Sequence, residues 1–128
     1  MCGGLLPVIN DCPGVAIYAD PMIEKVFSNL MDNTLRHAGK ATQVRISCNE
    51  TEDGLVILYE DDGYGISDDD KELIFKPGIG QNTGFGLFLA REILAITGIA
   101  IREIGVYSEG AKFEILVPKG FFKAGEDA

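Results

Sequence analysis

Hydrophobic positions along the chain change period several times, and each change marks an element. Val15-Ala-Ile-Tyr-Ala19 is a short apolar run that predicts a strand, preceded over 1–13 by a stretch rich in Gly, Pro and Asn that reads as a loose lead-in. Asp20-Pro21 has the form of a helix start, an N-cap followed by proline at the first helical position. A helix is therefore expected from about Pro21 to Ala38, with Gly39 as its stop. At 100° per residue Ile23, Val26, Phe27, Leu30 and Thr34 share one broad face, and Asn29 and Asn33 line its edge. From Thr42 to Asn49 apolar and polar residues alternate, as on a half-buried strand, whereas Leu55-Val-Ile-Leu-Tyr59 is unbroken and suits a central, covered strand. Thr51-Glu-Asp-Gly54 joins the two as a hairpin turn.

Asp68 to Phe75 has the pattern of one short helix, and Lys76 to Gly84 is a Pro/Gly/Asn/Thr loop expected to move. Gly86 to Thr97 predicts a second long helix, with Leu87, Ala90, Ile93, Leu94 and Thr97 toward the core and Gly98 ending it. Ile99–Ile104 and Ala111–Pro118 close as a hairpin, and the tail from Lys119 is peripheral. Strand, helix, two strands, short helix, helix and two strands predict an α+β chain. The simplest arrangement is a two-layer α/β sandwich, a mixed sheet covered on one face by about three helices.

A chain of 128 residues supports one hydrophobic core, so 1–128 reads as a single domain with its core over about 15–118. A net charge of −9 excludes nonspecific binding to nucleic acid or an anionic membrane surface, both of which need a basic footprint. A polyanionic ligand would need backbone N–H groups or Mg²⁺ to offset its charge. Cys2, Cys12 and Cys48 have neither the number nor the spacing of a disulfide framework or zinc site, and a reducing compartment fits them. No apolar run approaches the ~20 residues that span a bilayer, so a cytoplasmic chain is expected, whose parent could still be membrane-anchored.

Three stretches carry candidate chemistry. Asn29 and Asn33 lie one helical turn apart, so their amide oxygens can converge on one ion, although paired Asn on a solvated helix face would look the same. Asp61-Asp-Gly63-Tyr-Gly65 ends the buried strand. A carboxylate accepts hydrogen bonds and so suits the 6-amino group of adenine over the 6-oxo group of guanine, while a plain Asp-Gly turn is the alternative. Gly84-Phe-Gly86-Leu87 opens the second helix and could present N–H groups to phosphate, or merely feed a flexible loop into that helix. Arg36 projects from the same helix edge as the two Asn residues. His37, the only histidine, could cap the helix end or stack on a base, and Lys76 lies in the loop.

The order of these stretches resembles that of the sensor histidine kinases. Asn29-Leu-Met-Asp-Asn33-Thr-Leu-Arg36-His37 is similar to their N box, Asp61-Asp-Gly-Tyr-Gly-Ile66 to the G1 box, Ile74-Phe75-Lys-Pro-Gly78 to the F box, and Gly84-Phe-Gly-Leu-Phe-Leu-Ala90 to the G2 box. The resemblance covers roughly 15–118 and implies the Bergerat ATP-binding fold shared with gyrase, the chaperone Hsp90 and MutL. It implies ATP and Mg²⁺ as cofactors. Asn33 would be the main Mg²⁺ ligand with Asn29 beside it, Arg36 would contact phosphate, and His37 would lie against the nucleotide. Asp61 would accept the adenine amino group, and Gly63, Gly65 and Ile66 would shape the base pocket. Lys76, Gly84, Phe85, Gly86 and Leu87 would line the phosphate side. Thr34 departs from the Ala usual after that Asn, and Tyr64 from a smaller residue or Pro.

In related ATPases a Glu stands at position 29 as a general base, a role an amide cannot take. Asn29 therefore favours phosphoryl transfer to a protein acceptor, with Asn29, Asn33 and Arg36 as the catalytic set. No acceptor histidine on a second helix exists in the chain, so the resemblance implies a catalytic domain that serves a dimerisation and phosphoacceptor domain and, downstream, a response regulator. An anti-sigma-type serine kinase or a non-catalytic nucleotide-binding module on the same fold are the alternatives. The first would favour an acidic residue at position 29, and the second is opposed by the intact boxes.

Overall fold

The computed structural model describes residues 8–11, 16–17, 23–37, 42–76 and 86–123. Its elements run β1 (Val8–Asp11), β2 (Ala16–Ile17), α1 (Ile23–His37), β3 (Val44–Thr51), β4 (Gly54–Asp61), two 3₁₀ turns (Asp68–Asp70 and Leu73–Phe75), α2 (Gly86–Ile96), β5 (Ala100–Glu103), β6 (Lys112–Pro118) and β7 (Phe122–Lys123). Five strands form one sheet in the order β1-β3-β4-β6-β5. β1 runs parallel to β3 and the other pairs are antiparallel, so the sheet is mixed. β2 and β7 pair separately.

The unbroken apolar run 55–59 occupies the sheet centre, where both strand edges are paired and neither face is fully wet. Leu55, Ile57 and Tyr59 point inward with Phe113, Ile115 and Val117 of β6 and Ile101 of β5. Val26 and Leu30 of α1 and Leu87, Ala90, Ile93 and Leu94 of α2 cover them in one cluster. The helices thus form the second layer of an α/β sandwich. The other sheet face carries surface ion pairs, Arg102 with Glu114 at 2.6 Å and Lys112 with Glu60 at 3.8 Å.

Helix α2 ends as its sequence predicts. Gly98 adopts φ 74°, the N–H of Ile99 returns to the Leu94 carbonyl at 3.0 Å, and that of Gly98 returns to Ala95 at 3.1 Å, which is a Schellman motif. The start and stop signals expected for α1, at Asp20-Pro21 and Gly39, lie outside the described residues. No described helix is long and apolar enough to cross a membrane.

Four expectations change. Part of the presumed lead-in is strand β1, and the tail after Lys119 contributes β7, because each pairs with a distant strand that local pattern cannot reveal. The single helix expected over 68–75 is two 3₁₀ turns, separated where Lys71 sends its side chain across to Glu103. Cys48, half-buried on β3, is disulfide-bonded, where cysteine number and spacing predict no bridge.

Candidate functional site

The inward face of β4 ends in a carboxylate. Asp61 is only 7% exposed, since the alternation that buries Leu55, Ile57 and Tyr59 carries it to the same side. Its charge is met by donors. Oδ1 accepts the N–H of Gly63 at 3.0 Å and of Ala111 at 3.1 Å, and Oδ2 accepts the Thr34 hydroxyl at 2.9 Å. Thr34, on the core face of α1, also lies 2.9 Å from the Tyr59 hydroxyl, which is 3.7 Å from Met31 Sδ. Burial pushes the Tyr59 phenol up to about 12, the Asp61 charge adds to that rise, and the Thr34 bond opposes it.

The turn between β5 and β6 closes over the loop that follows Asp61. Ser108 donates its N–H to the Tyr64 carbonyl, and Val106 bridges Gly110. Glycine is required twice here. Gly65 has φ 80° and a Cβ on it would sit 3.0 Å from the Val106 carbonyl oxygen; Gly110 has φ 121° and a Cβ on it would fall 2.0 Å from that of Asp61. Behind this contact, Lys71 pairs with Glu103 and donates to the carbonyls of Ile66 at 3.1 Å and Gly105 at 2.8 Å. Glu103 Oε2 in turn accepts the N–H groups of Lys112 at 2.9 Å and Gly105 at 3.2 Å. Asp62 faces the other way. The Thr42 hydroxyl and backbone N–H beside it hold its carboxyl below the usual carboxylate value.

The second region is made by the helices. Asn29 donates its side-chain N–H to the Gly86 carbonyl at 2.9 Å, across 57 residues, so the polar edge of α1 meets the first turn of α2. Asn33 lies one turn further along, half-buried. A Cβ on Gly86 would meet nothing within 4 Å, and its φ is not left-handed. Neither packing nor backbone conformation among the described residues accounts for glycine there.

The remaining expected residues are placed as follows. Leu87 is 7% exposed and part of the core, so its side chain packs rather than facing a ligand. Ile66 is half-buried against the core. Lys76 is exposed at the end of the second 3₁₀ turn. Phe75 anchors that turn, edge-on to Phe113 at 6.2 Å with the Arg91 guanidinium 4.1 Å above its ring. Arg36 and His37 lie in the last turn of α1, with side chains outside the description, and Gly84, Phe85 and the loop beyond Lys76 fall outside the described residues.

The family model described as "Histidine kinase-, DNA gyrase B-, and HSP90-like ATPase" matches residues 19–120. The chain belongs to that family. Among curated members it is 34% identical over 101 residues to the alginate biosynthesis sensor protein KinB of Pseudomonas aeruginosa, covering 75% of this chain and 17% of that protein. It is 36% identical over 73 residues to the sensor protein GtcS of Aneurinibacillus migulanus, covering 52% and 20%. The chain therefore spans about a fifth of the length of these relatives. Among solved structures, the Acinetobacter baumannii histidine kinase AdeS superposes with a TM-score of 0.74 at 27% identity, over 90% of this chain and 55% of that one. Full-length ShkA in complex with AMPPNP has the same fold, with a TM-score of 0.78 at 20% identity, over 97% and 27%.

Sequence reasoning about this family member missed Thr34, Tyr59, Lys71, Glu103, Gly110 and Ala111, all of which support Asp61 or the loop after it. Thr34 reads as one more residue on an apolar face, and Glu103 as an alternating strand position. A signal existed for Tyr59, whose period-two spacing from Asp61 puts both on one strand face and whose hydroxyl needs a partner once buried.

Proposed function

We propose that this chain is the catalytic ATP-binding domain of a sensor histidine kinase, which binds Mg·ATP and donates the γ-phosphoryl group to a histidine on a separate dimerisation domain of its parent. The observation that carries this reading is the Asn29–Gly86 contact, which brings the Asn-bearing edge of α1 to the first turn of α2. Family membership and the sensor-protein relatives support it.

In this reading Asp61 accepts the adenine amino group, with Gly63, Gly65 and Ile66 beside the base. Asn33 and Asn29 offer amide oxygens to Mg²⁺ on the phosphate side, Arg36 contacts phosphate, His37 lies against the nucleotide, and Lys76, Gly84, Phe85 and Gly86 edge the phosphates. Amide and phosphate oxygens are hard ligands suited to Mg²⁺, so this site would not need a cluster of carboxylates. Mg²⁺ would neutralise charge on the transferring group, so the protein's own part is positioning. The β,γ P–O bond breaks, a P–N bond forms to the acceptor imidazole, ADP leaves, and the imidazole proton is released. Asn29 cannot take a proton from water, which favours this transfer over hydrolysis. A response regulator would receive the phosphoryl group downstream, and the domain would work in the cytoplasm whether or not its parent is membrane-anchored.

Calorimetry with Mg·ATP, Mg·ADP and Mg·GTP on the wild type and Asp61→Asn tests this. Adenine-selective binding lost in the variant is expected, with little phosphate incorporated into the isolated chain. Absence of nucleotide binding, absence of adenine preference, or strong self-phosphorylation would overturn it.

A further inference from the structure

An Asp carboxylate offers about four acceptor positions, two on each oxygen. In Asp61, Oδ1 has both filled by the N–H groups of Gly63 and Ala111, and Oδ2 has one filled by the Thr34 hydroxyl. Among the described residues no other donor reaches it, so one acceptor position on Oδ2 is left.

The direction of the hydrogen bonds behind it is fixed by proton count. Thr34 has one hydroxyl proton and gives it to Asp61, so in the Thr34–Tyr59 contact Tyr59 must donate. Tyr59 can do so because a phenol keeps its proton at neutral pH, and its other neighbour, the Met31 sulfur at 3.7 Å, is a weak acceptor. Its ring is 1% exposed and sits edge-on to Phe113, centroids 6.3 Å apart, so the hydroxyl has little freedom to swing away. The resulting chain runs from Tyr59 through Thr34 to Asp61, from the sheet to a helix and back to the same strand.

We infer that Thr34, oriented by Tyr59, is a specificity-determining positioning residue for the 6-amino group of the bound purine. This rests on the reading in which Asp61 accepts that group. By occupying one side of Oδ2, Thr34 leaves the carboxylate a single direction from which to accept a base N–H. A nucleotide that brings a donor there is bound in one register, and one that lacks it leaves a buried acceptor unpaired. Without the Thr34 hydroxyl, Oδ2 has two open positions, the base loses its fixed register, and a water can serve as well as the amine. A residue that merely satisfied buried polar atoms would affect all nucleotides alike.

The test compares Mg·ATP with the Mg complex of purine riboside triphosphate, which lacks the 6-amino group, by calorimetry. The variants are Thr34→Val, which keeps the shape and loses the hydroxyl, Thr34→Ser, which keeps the hydroxyl, and Tyr59→Phe. Thr34→Val is expected to shrink the wild-type preference for ATP about three- to tenfold while binding of the des-amino nucleotide stays within about twofold, the range expected for the net worth of one ordinary hydrogen bond. Thr34→Ser restores the preference, and Tyr59→Phe lowers it by a smaller factor in the same direction. Equal weakening of both nucleotides by Thr34→Val, or an unchanged preference, overturns the inference. Should that variant not fold, Tyr59→Phe decides by the same criterion. A wild type that binds both nucleotides equally would instead sink the reading of Asp61 itself, a result separable from any failure at Thr34.

Discussion

Lys71 and Glu103 form an ion pair in which the acid side chain is fully buried, and the ammonium reaches two backbone carbonyls besides. Glu103 likewise accepts two backbone N–H groups through its second oxygen. Both charges are therefore paired and hydrogen-bonded, the condition under which a buried pair is tolerated. The pair ties the segment after Asp61 to the β5–β6 turn that overlies it.

Removing one partner should cost far more than removing both. Lys71→Met leaves a buried carboxylate without its cation and is expected to destabilise the fold by about 3–5 kcal/mol. In Lys71→Met/Glu103→Met that penalty disappears and the loss should be clearly smaller. Urea denaturation of both variants checks the order, and a double variant weaker than the single one would contradict it.

Tyr59 predicts an alkaline weakness. Unfolded, its phenol releases a proton near 10, whereas in the fold this rises to about 12. Its stabilising contribution is complete below pH 10 and is lost as pH climbs through 12, because the unfolded chain ionises first. The stability advantage of wild type over Tyr59→Phe should fall by about 2–3 kcal/mol across that window. Parallel pH profiles for the two proteins would show that the shift is absent.

Gly86→Ala separates stability from binding. A Cβ there meets nothing, and alanine is the better helix former, so the fold should be unchanged or firmer by up to about 1 kcal/mol. If the space is kept for phosphate, affinity for Mg·ATP should nevertheless drop about tenfold, equivalent to about 1.4 kcal/mol. Thermal unfolding and calorimetry on one preparation report both signs, and undiminished affinity would mean that the glycine serves nothing at this site.

Gly110→Ala should fail in both respects. Its Cβ would fall 2.0 Å from the Asp61 carbonyl oxygen at a φ of 121°, so the turn must shift and take the Ala111 N–H away from the Asp61 carboxylate. The expected cost is about 3 kcal/mol or more of stability, from backbone strain and overpacking. A thermal melt within a degree or two of wild type would refute this account of the turn.

Elements whose information is local were legible in the sequence. The amphipathic stripe of α1, the alternating and unbroken runs of β3 and β4, and the Gly98 stop of α2 each follow from residues within a turn or two of one another. Strand β1 was not, because four residues that include Asn10 and Asp11, set between prolines, become a strand only through pairing with β3. The same holds within the site. Asn29, Asn33, Asp61 and Gly86 could be singled out by type and spacing, but the Asn29–Gly86 contact could not. Thr34 was placed on the correct face and given no role, since nothing near it in sequence marks the carboxylate it serves 27 residues away.

The Asp61 carboxylate also bears on how the molecule opens. The amide hydrogens of Gly63 and Ala111 point into a buried acid instead of water, so both are expected to exchange more slowly than amides of a free loop. Hydrogen exchange at these two amides would show whether the loop and turn at that end open together with the central strands, although they lie beyond the last strand pairs.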